Sequence, residues 1–162
     1  MSKLIILRGN SGTGKSTVAK KLQHAMGDKA MLVPQDTIRR EIMRVKDGPN
    51  NPSIQLIYDT AMYGNQVEYD VVVEGVLNGK NYGDMLRKLA SNFTNVYVYY
   101  FDISFEETLR RHKTKHNSHE FGEVEMRKWW IDNDLLGVTN EVAVTESLSE
   151  DEIVQLILNN LK

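Results

Sequence analysis

Lys3-Leu4-Ile5-Ile6-Leu7-Arg8-Gly9-Asn10-Ser11-Gly12-Thr13-Gly14-Lys15-Ser16-Thr17 carries the pattern that decides how this chain folds. A run of apolar β-formers ends in a loop that satisfies G-x-x-x-x-G-K-[ST] from Gly9 to Ser16. That loop runs straight into the helical Thr17-Val18-Ala19-Lys20-Lys21-Leu22. Glycines let backbone wrap a phosphate with its N–H groups turned inward, and a helix beginning near Gly14 adds the positive end of its dipole. Lys15 is placed to reach the β and γ phosphates, and Ser16 to set its hydroxyl on Mg2+. The predicted nucleotide-binding set is Gly9, Asn10, Ser11, Gly12, Thr13, Gly14, Lys15, Ser16 and Thr17. A glycine-rich turn with an incidental lysine would not need the strand before it and the helix after it.

Outward from this loop, further β-rich runs lie at Met31 to Pro34, Asp70 to Glu74 and Val96 to Asp102, with a weaker one at Glu141 to Thr145. Helical spacing separates them: Val18, Leu22 and Ala25, then Ile38, Ile42 and Val45, then Met85, Leu86 and Leu89. The clearest amphipathic helix is the last, with Ile153, Leu156, Ile157 and Leu161 behind Ser149 and Asp151. Strands that read as nearly continuous apolar runs and alternate with helices imply an α/β fold with a parallel sheet covered on both faces. In such sheets ligands bind beyond the carboxyl ends of the strands.

Composition bounds the rest. The 162 residues form one expected domain, hydrophobic residues make up 41%, and the net charge is -2, so no global positive field draws the chain to nucleic acid or an anionic membrane. Without cysteine there is no disulfide framework, thiolate zinc site or cysteine chemistry. No apolar run reaches the length of a membrane span or a signal-peptide core, and a cytoplasmic location is expected. Asp47-Gly48-Pro49-Asn50-Asn51-Pro52 reads as a loop between helices. No N-K-x-D guanine-reading motif is found, which counts against a GTPase switch.

Three carboxyl-end regions carry candidate chemistry. Asp36 follows the second strand, with Arg39 and Arg40 one turn on. A carboxylate there can orient an attacking hydroxyl while an arginine holds phosphate or acceptor oxygens, or Asp36 can simply cap the helix. Glu74 ends the third strand beside Gly75, as a metal or acceptor ligand or as a solvated strand end. After the fourth strand, Ser104 and Glu107 form a capping box ahead of the basic cluster Arg110, Arg111, Lys113 and Lys115, a segment suited to closing over ATP or to lying solvated. His112, His116 and His119 do not make a convincing zinc site. Trp129-Trp130, ahead of Asp132 and Asp134, is expected to pack into the core, with base stacking the alternative.

Together these residues resemble the small P-loop kinases of the polynucleotide-kinase, zeta-toxin and chloramphenicol-phosphotransferase group. The resemblance rests on Gly9 to Ser16, Asp36 with Arg39, and Phe101-Asp102 leading to the basic segment. It implies a three-layer P-loop NTPase fold of the nucleotide-kinase type, with a five-stranded parallel sheet and a helical lid near residues 110–125. By the same resemblance Asp36 is the catalytic base, Arg39 binds acceptor phosphate or the reacting group, and Arg111 is the first lid cation. The second lid cation, an arginine in the polynucleotide kinases, is Lys115 here. Lys15, Asp36, Arg39 and Arg111 are thus the predicted catalytic set, and Arg111 and Lys115 join the nucleotide contacts. Ser16 and Glu74 are the predicted metal ligands, and ATP and Mg2+ the expected cofactors. Asn50 to Gln66 shows no basic and aromatic track for a single strand, so a small hydroxyl compound is the expected acceptor. A polynucleotide 5′-hydroxyl kinase is the first alternative, and a nucleotide-binding regulatory module with little turnover the second. Neither adenine preference nor oligomeric state is written in the sequence.

Overall fold

The computed structural model describes residues 1–114 and 120–162. The expected positions Lys115, His116 and His119 lie outside the described residues. Strands β1 (Lys3–Arg8), β2 (Ala30–Pro34), β3 (Asp70–Gly75), β4 (Asn95–Asp102) and β5 (Glu141–Thr145) form one parallel sheet in the order β2-β3-β1-β4-β5. Helices α1 (Lys15–Met26), α2 (Ser53–Gln66), α3 (Gly79–Ala90), α4 (Phe105–His112), α5 (Glu123–Trp129) and α6 (Glu150–Asn160) connect them.

The apolar runs are buried on both faces because successive side chains alternate. Leu4, Ile6, Val71 and Val73 pack with Ile57 and Ala61 of α2 and Leu86 and Leu89 of α3. Ile5, Leu7 and Val72 point the other way, onto Val18 and Leu22 of α1 and Ile153 and Ile157 of α6. Each such fully buried aliphatic side chain contributes about 1.5–3 kcal/mol relative to exposure. Ala25, expected on the apolar stripe of α1, is exposed, and that stripe is instead Val18, Ala19 and Leu22.

Two local signals are reproduced unequally. Ser149 Oγ accepts from Glu152 N while Glu152 Oε1 accepts from Ser149 N, a complete capping box at α6. At α4 only half forms: Ser104 Oγ accepts from Glu107 N, but the Glu107 carboxylate turns to Arg110 and Arg111, and Ser104 N donates to Glu146.

The helix expected from Ile38, Ile42 and Val45 is corrected. Thr37–Ile42 is a π-helical turn, closed by Met43 N donating to Ile38 O, and the chain leaves it through Arg44 at φ 54°. Only Ile38 reaches the core, whereas Ile42 is 64% exposed. The wider turn shifts side chains off the α-helical period, so three apolar residues at i, i+4 and i+7 no longer share a face.

Candidate active site

β1 lies between β3 and β4, so the loop after it opens where the strand order changes direction, the place where open α/β sheets bind ligands. Gly9 sits at φ 146°, and a Cβ there would meet Phe101 O at 2.9 Å, so only glycine lets the loop cross β4. Lys15 Nζ donates to Asn10 O at 2.7 Å and to Thr13 Oγ1 at 3.1 Å, which folds the buried lysine back under the loop. Ser16 and Thr17 are exposed on the first turn of α1 and line a cavity of about 670 Å3 with Gly12, Gly14 and Glu74.

Glu74 is not the solvated strand end of the alternative reading, because it is buried. Its two oxygens accept from Ser16 Oγ at 3.2 and 3.3 Å. Burial pushes its carboxyl above the usual range, against the opposing pull of Lys15 and the Ser16 hydrogen bond, while Asp36 pushes the same way as burial. A buried carboxylate touching a hydroxyl at a phosphate loop suits a divalent cation held between Ser16 and Glu74.

From α4, Arg111 Nη1 donates to Thr13 O at 3.1 Å and its Nε to Glu107 Oε1 at 3.0 Å, which lays the guanidinium along the loop. Arg110 is also bound to Glu107, at 2.8 and 2.6 Å, but stands more exposed. The two arginines hold the Glu107 carboxyl down at about 2.

Asp36 makes no capping hydrogen bond. Its oxygens instead meet Arg39 Nη2 at 3.4 Å and Arg40 Nη1 at 3.5 Å, and Arg39 Nη1 is held by Val45 O. Asp36, Arg39 and Arg40 line a second cavity, of about 420 Å3. It meets the phosphate-side cavity at Ser11, Asp36, Arg40, Val76 and Phe121. Trp129 and Trp130 line it too, against the expectation of core packing: Trp129 is 52% exposed and Trp130 only partly buried. The short α5 buries a single residue, Met126, so a ring at its C-terminal end has no core to enter.

Sequence reasoning missed what holds this end together. Arg8, 0% exposed at the end of β1, pairs with Asp134 and Glu141, donates to Leu77 O and lies under the Tyr100 ring. Leu77, at φ 43°, is held from its other side by Gln35 Oε1. A charged residue closing an apolar strand was the available signal, since a buried guanidinium requires carboxylates nearby. Asn10, predicted as a nucleotide contact, uses its side chain on Ile131, donating to the carbonyl at 2.7 Å and accepting from the N–H at 3.0 Å. His112 is likewise engaged structurally, stacked on Phe121 with Nε2 2.6 Å from the Phe121 carbonyl. Among the described residues no group of three or more His, Cys, Asp or Glu could hold a metal ion. No helix among them is long and apolar enough to cross a membrane.

A family model described as an AAA domain matches residues 4–129. Among solved structures, the chain is similar to the APS kinase of Mycobacterium tuberculosis in complex with AMPPNP and APS. Identity is 19% and the TM-score 0.76, with 99% of this chain and 97% of that one covered. A gluconokinase from Sinorhizobium meliloti 1021 matches at 22% identity and a TM-score of 0.71, covering 98% and 91%. The tunicamycin resistance protein of Deinococcus radiodurans matches at 13% and 0.69, covering 99% and 96%. A comparison with curated proteins found no match. The fold is that of the small P-loop kinases, as the sequence resemblance implied.

Proposed function

Since the chain belongs to the AAA-domain family matched over residues 4–129, we propose that it is an ATP- and Mg2+-dependent phosphotransferase acting on a hydroxyl of a small molecule. The observation that carries this reading is the position of Asp36, on the border between the phosphate-loop cavity and the second cavity. A carboxylate there can meet a hydroxyl from one side and a γ-phosphoryl group from the other. Residues 1–162 act as one kinase domain with a lid near 110–125, of which residues 115–119 lie outside the described residues.

In this reading the acceptor O–H gives its proton to Asp36 as its oxygen bonds the γ-phosphorus, and the bond from that phosphorus to the β-γ bridging oxygen breaks to release ADP. Lys15 and the loop N–H groups stabilise charge on the β and γ oxygens. Arg111 approaches from the lid, and Arg39 orients Asp36. Ser16 and Glu74 would hold Mg2+, whose positive charge would offset the negative charge that develops in the transfer. The neighbours support a small acceptor, since one is an APS kinase bound to APS and another a gluconokinase, and the net charge of -2 leaves few cations for a nucleic-acid track.

The test is acceptor-dependent ADP release across hydroxyl metabolites, nucleosides, sugars, antibiotics and 5′-hydroxyl oligonucleotides. Turnover with a small acceptor supports the reading. Labelling of an oligonucleotide 5′ end, with binding that weakens steeply with salt, replaces it by a polynucleotide kinase. Nucleotide binding without turnover on any acceptor replaces it by a regulatory module.

A further inference from the structure

The lining of the second cavity combines two unlike groups, the aromatic Phe121, Trp129 and Trp130 and the charged Asp36, Arg39 and Arg40. The aromatic wall is held in place. Trp130 meets Phe105 edge-on at 5.2 Å and donates from Nε1 to Asp132 at 2.8 Å, and Phe121 is stacked on His112 at 4.6 Å. Trp129 contacts Phe121 at 5.3 Å and leaves half of its surface uncovered. A large ring lining the same cavity as Asp36 and Arg40, with its aromatic neighbours anchored and half of its own surface open, is arranged to stack on something flat. Trp130 and Ile131 fall beyond residues 4–129, and Trp129 is the last residue matched, so this wall lies at the margin of what the family pattern describes.

Among the charged lining residues, charge is unevenly spent. Asp47 is committed to the Tyr82 hydroxyl at 2.7 Å and to Gly48 N at 2.9 Å. Asp36 is shared by both arginines, and Arg40 meets it only at 3.5 Å with more than half of its side chain exposed. One carboxylate thus serves two guanidinium groups, each built for bidentate oxyanion contact.

We propose that this cavity selects an acceptor with a planar ring and an anionic substituent, the ring stacking on Trp129 and the anion taken by Arg40. The anion relieves Asp36 of one arginine and leaves it open to the acceptor hydroxyl. This rests on the phosphotransferase reading and names the substrate class for the same site.

The test uses the fact that the chain has two tryptophans, both in this wall. Trp130→Phe leaves Trp129 as the sole indole fluorophore. With AMPPNP and Mg2+ present, that variant is titrated with inosine 5′-monophosphate, inosine and ribose 5-phosphate, which carry ring plus anion, ring alone and anion alone. The expected result is saturable quenching by the monophosphate, about 10-fold or more tighter than either fragment. Arg40→Gln should reduce the monophosphate to the level of inosine, and Trp129→Leu, scored in the Trp130-containing protein by calorimetry, should weaken it about 10- to 100-fold. Ribose 5-phosphate binding as tightly as the monophosphate overturns the ring subsite, and inosine doing so overturns the anion contact. Retained ranking without any ADP formation leaves the ligand class standing and removes the transferase reading. Turnover on ring-free acceptors without the ranking does the reverse.

Discussion

Lys15 and Asp36 line one cleft, yet their settings are opposite. Lys15 is buried on the first turn of a regular helix, with Nζ tied to Asn10 O and Thr13 Oγ1 inside its own loop. Asp36 is largely exposed at the head of a π-helical turn and, among the described residues, is held by two long contacts to neighbouring arginines. The phosphate side meets a group whose shape does not vary, so backbone N–H groups and one lysine suffice, and a short sequence pattern specifies them. In the proposed reading the acceptor side must fit one molecule among many, with side chains drawn from a π turn, a loop and α5. A π-helical insertion re-aims side chains at small cost in backbone hydrogen bonds, which is why such turns recur at functional sites.

The sharpest way to break this contrast is at Lys15. Lys15→Ala should lower turnover by about 10³-fold, the upper range for removing one preformed charge stabiliser, with the far-ultraviolet spectrum unchanged. Wild-type turnover in a folded variant would remove the phosphate loop from the mechanism. Asp36→Asn should lower kcat by about 10²-fold with ATP affinity retained, as expected of a proton acceptor that touches the hydroxyl and not the nucleotide. Asparagine still meets Arg39 and Arg40 through its carbonyl, so a merely structural Asp36 predicts near-normal kcat.

A smaller effect separates the two lid arginines. Arg111→Ala should reduce kcat by about 10-fold or more and Arg110→Ala by less than about 3-fold, because only Arg111 is bonded to the loop carbonyl of Thr13. Equal losses would mean that the lid acts through its summed charge. Since Glu107 is held down at about 2, its grip on both arginines should persist throughout any usable acidic range, and lid geometry should not titrate above pH 4.

The smallest effect concerns stability. Glu74 has its carboxyl raised by burial, so the folded chain holds that proton more tightly than the unfolded chain. Its charged form therefore weakens the fold at neutral pH, and the penalty fades as pH falls through the raised value towards the ordinary carboxylate range. Glu74→Gln should raise Tm at pH 7, and the gain should shrink as pH falls towards the ordinary carboxylate range. The same variant should lose the extra stability that added Mg2+ with nucleotide confers on the wild type. An unchanged Tm across that pH range would show that Lys15 and Ser16 already offset the desolvation of Glu74.

Much of this protein could be read from residue order alone. Strand positions were legible because Leu4 to Leu7 and Val71 to Val73 are apolar at every position, which only a sheet covered on both faces requires. The phosphate loop was legible because its contacts come from backbone and a contiguous motif. What tertiary structure alone decided are the features that join residues distant in sequence. Arg8 finds Asp134 and Glu141 only after β1, β4 and β5 have paired, and Asn10 finds Ile131 only once the chain beyond α5 has returned across the loop. The π turn at Thr37–Ile42 replaced a helix that the apolar spacing favoured, because tertiary packing retains Ile38 and gives up Ile42. The tryptophans are not core residues for the same reason: periodicity records how apolar a residue is, while its position relative to the sheet decides whether there is a core for it to enter.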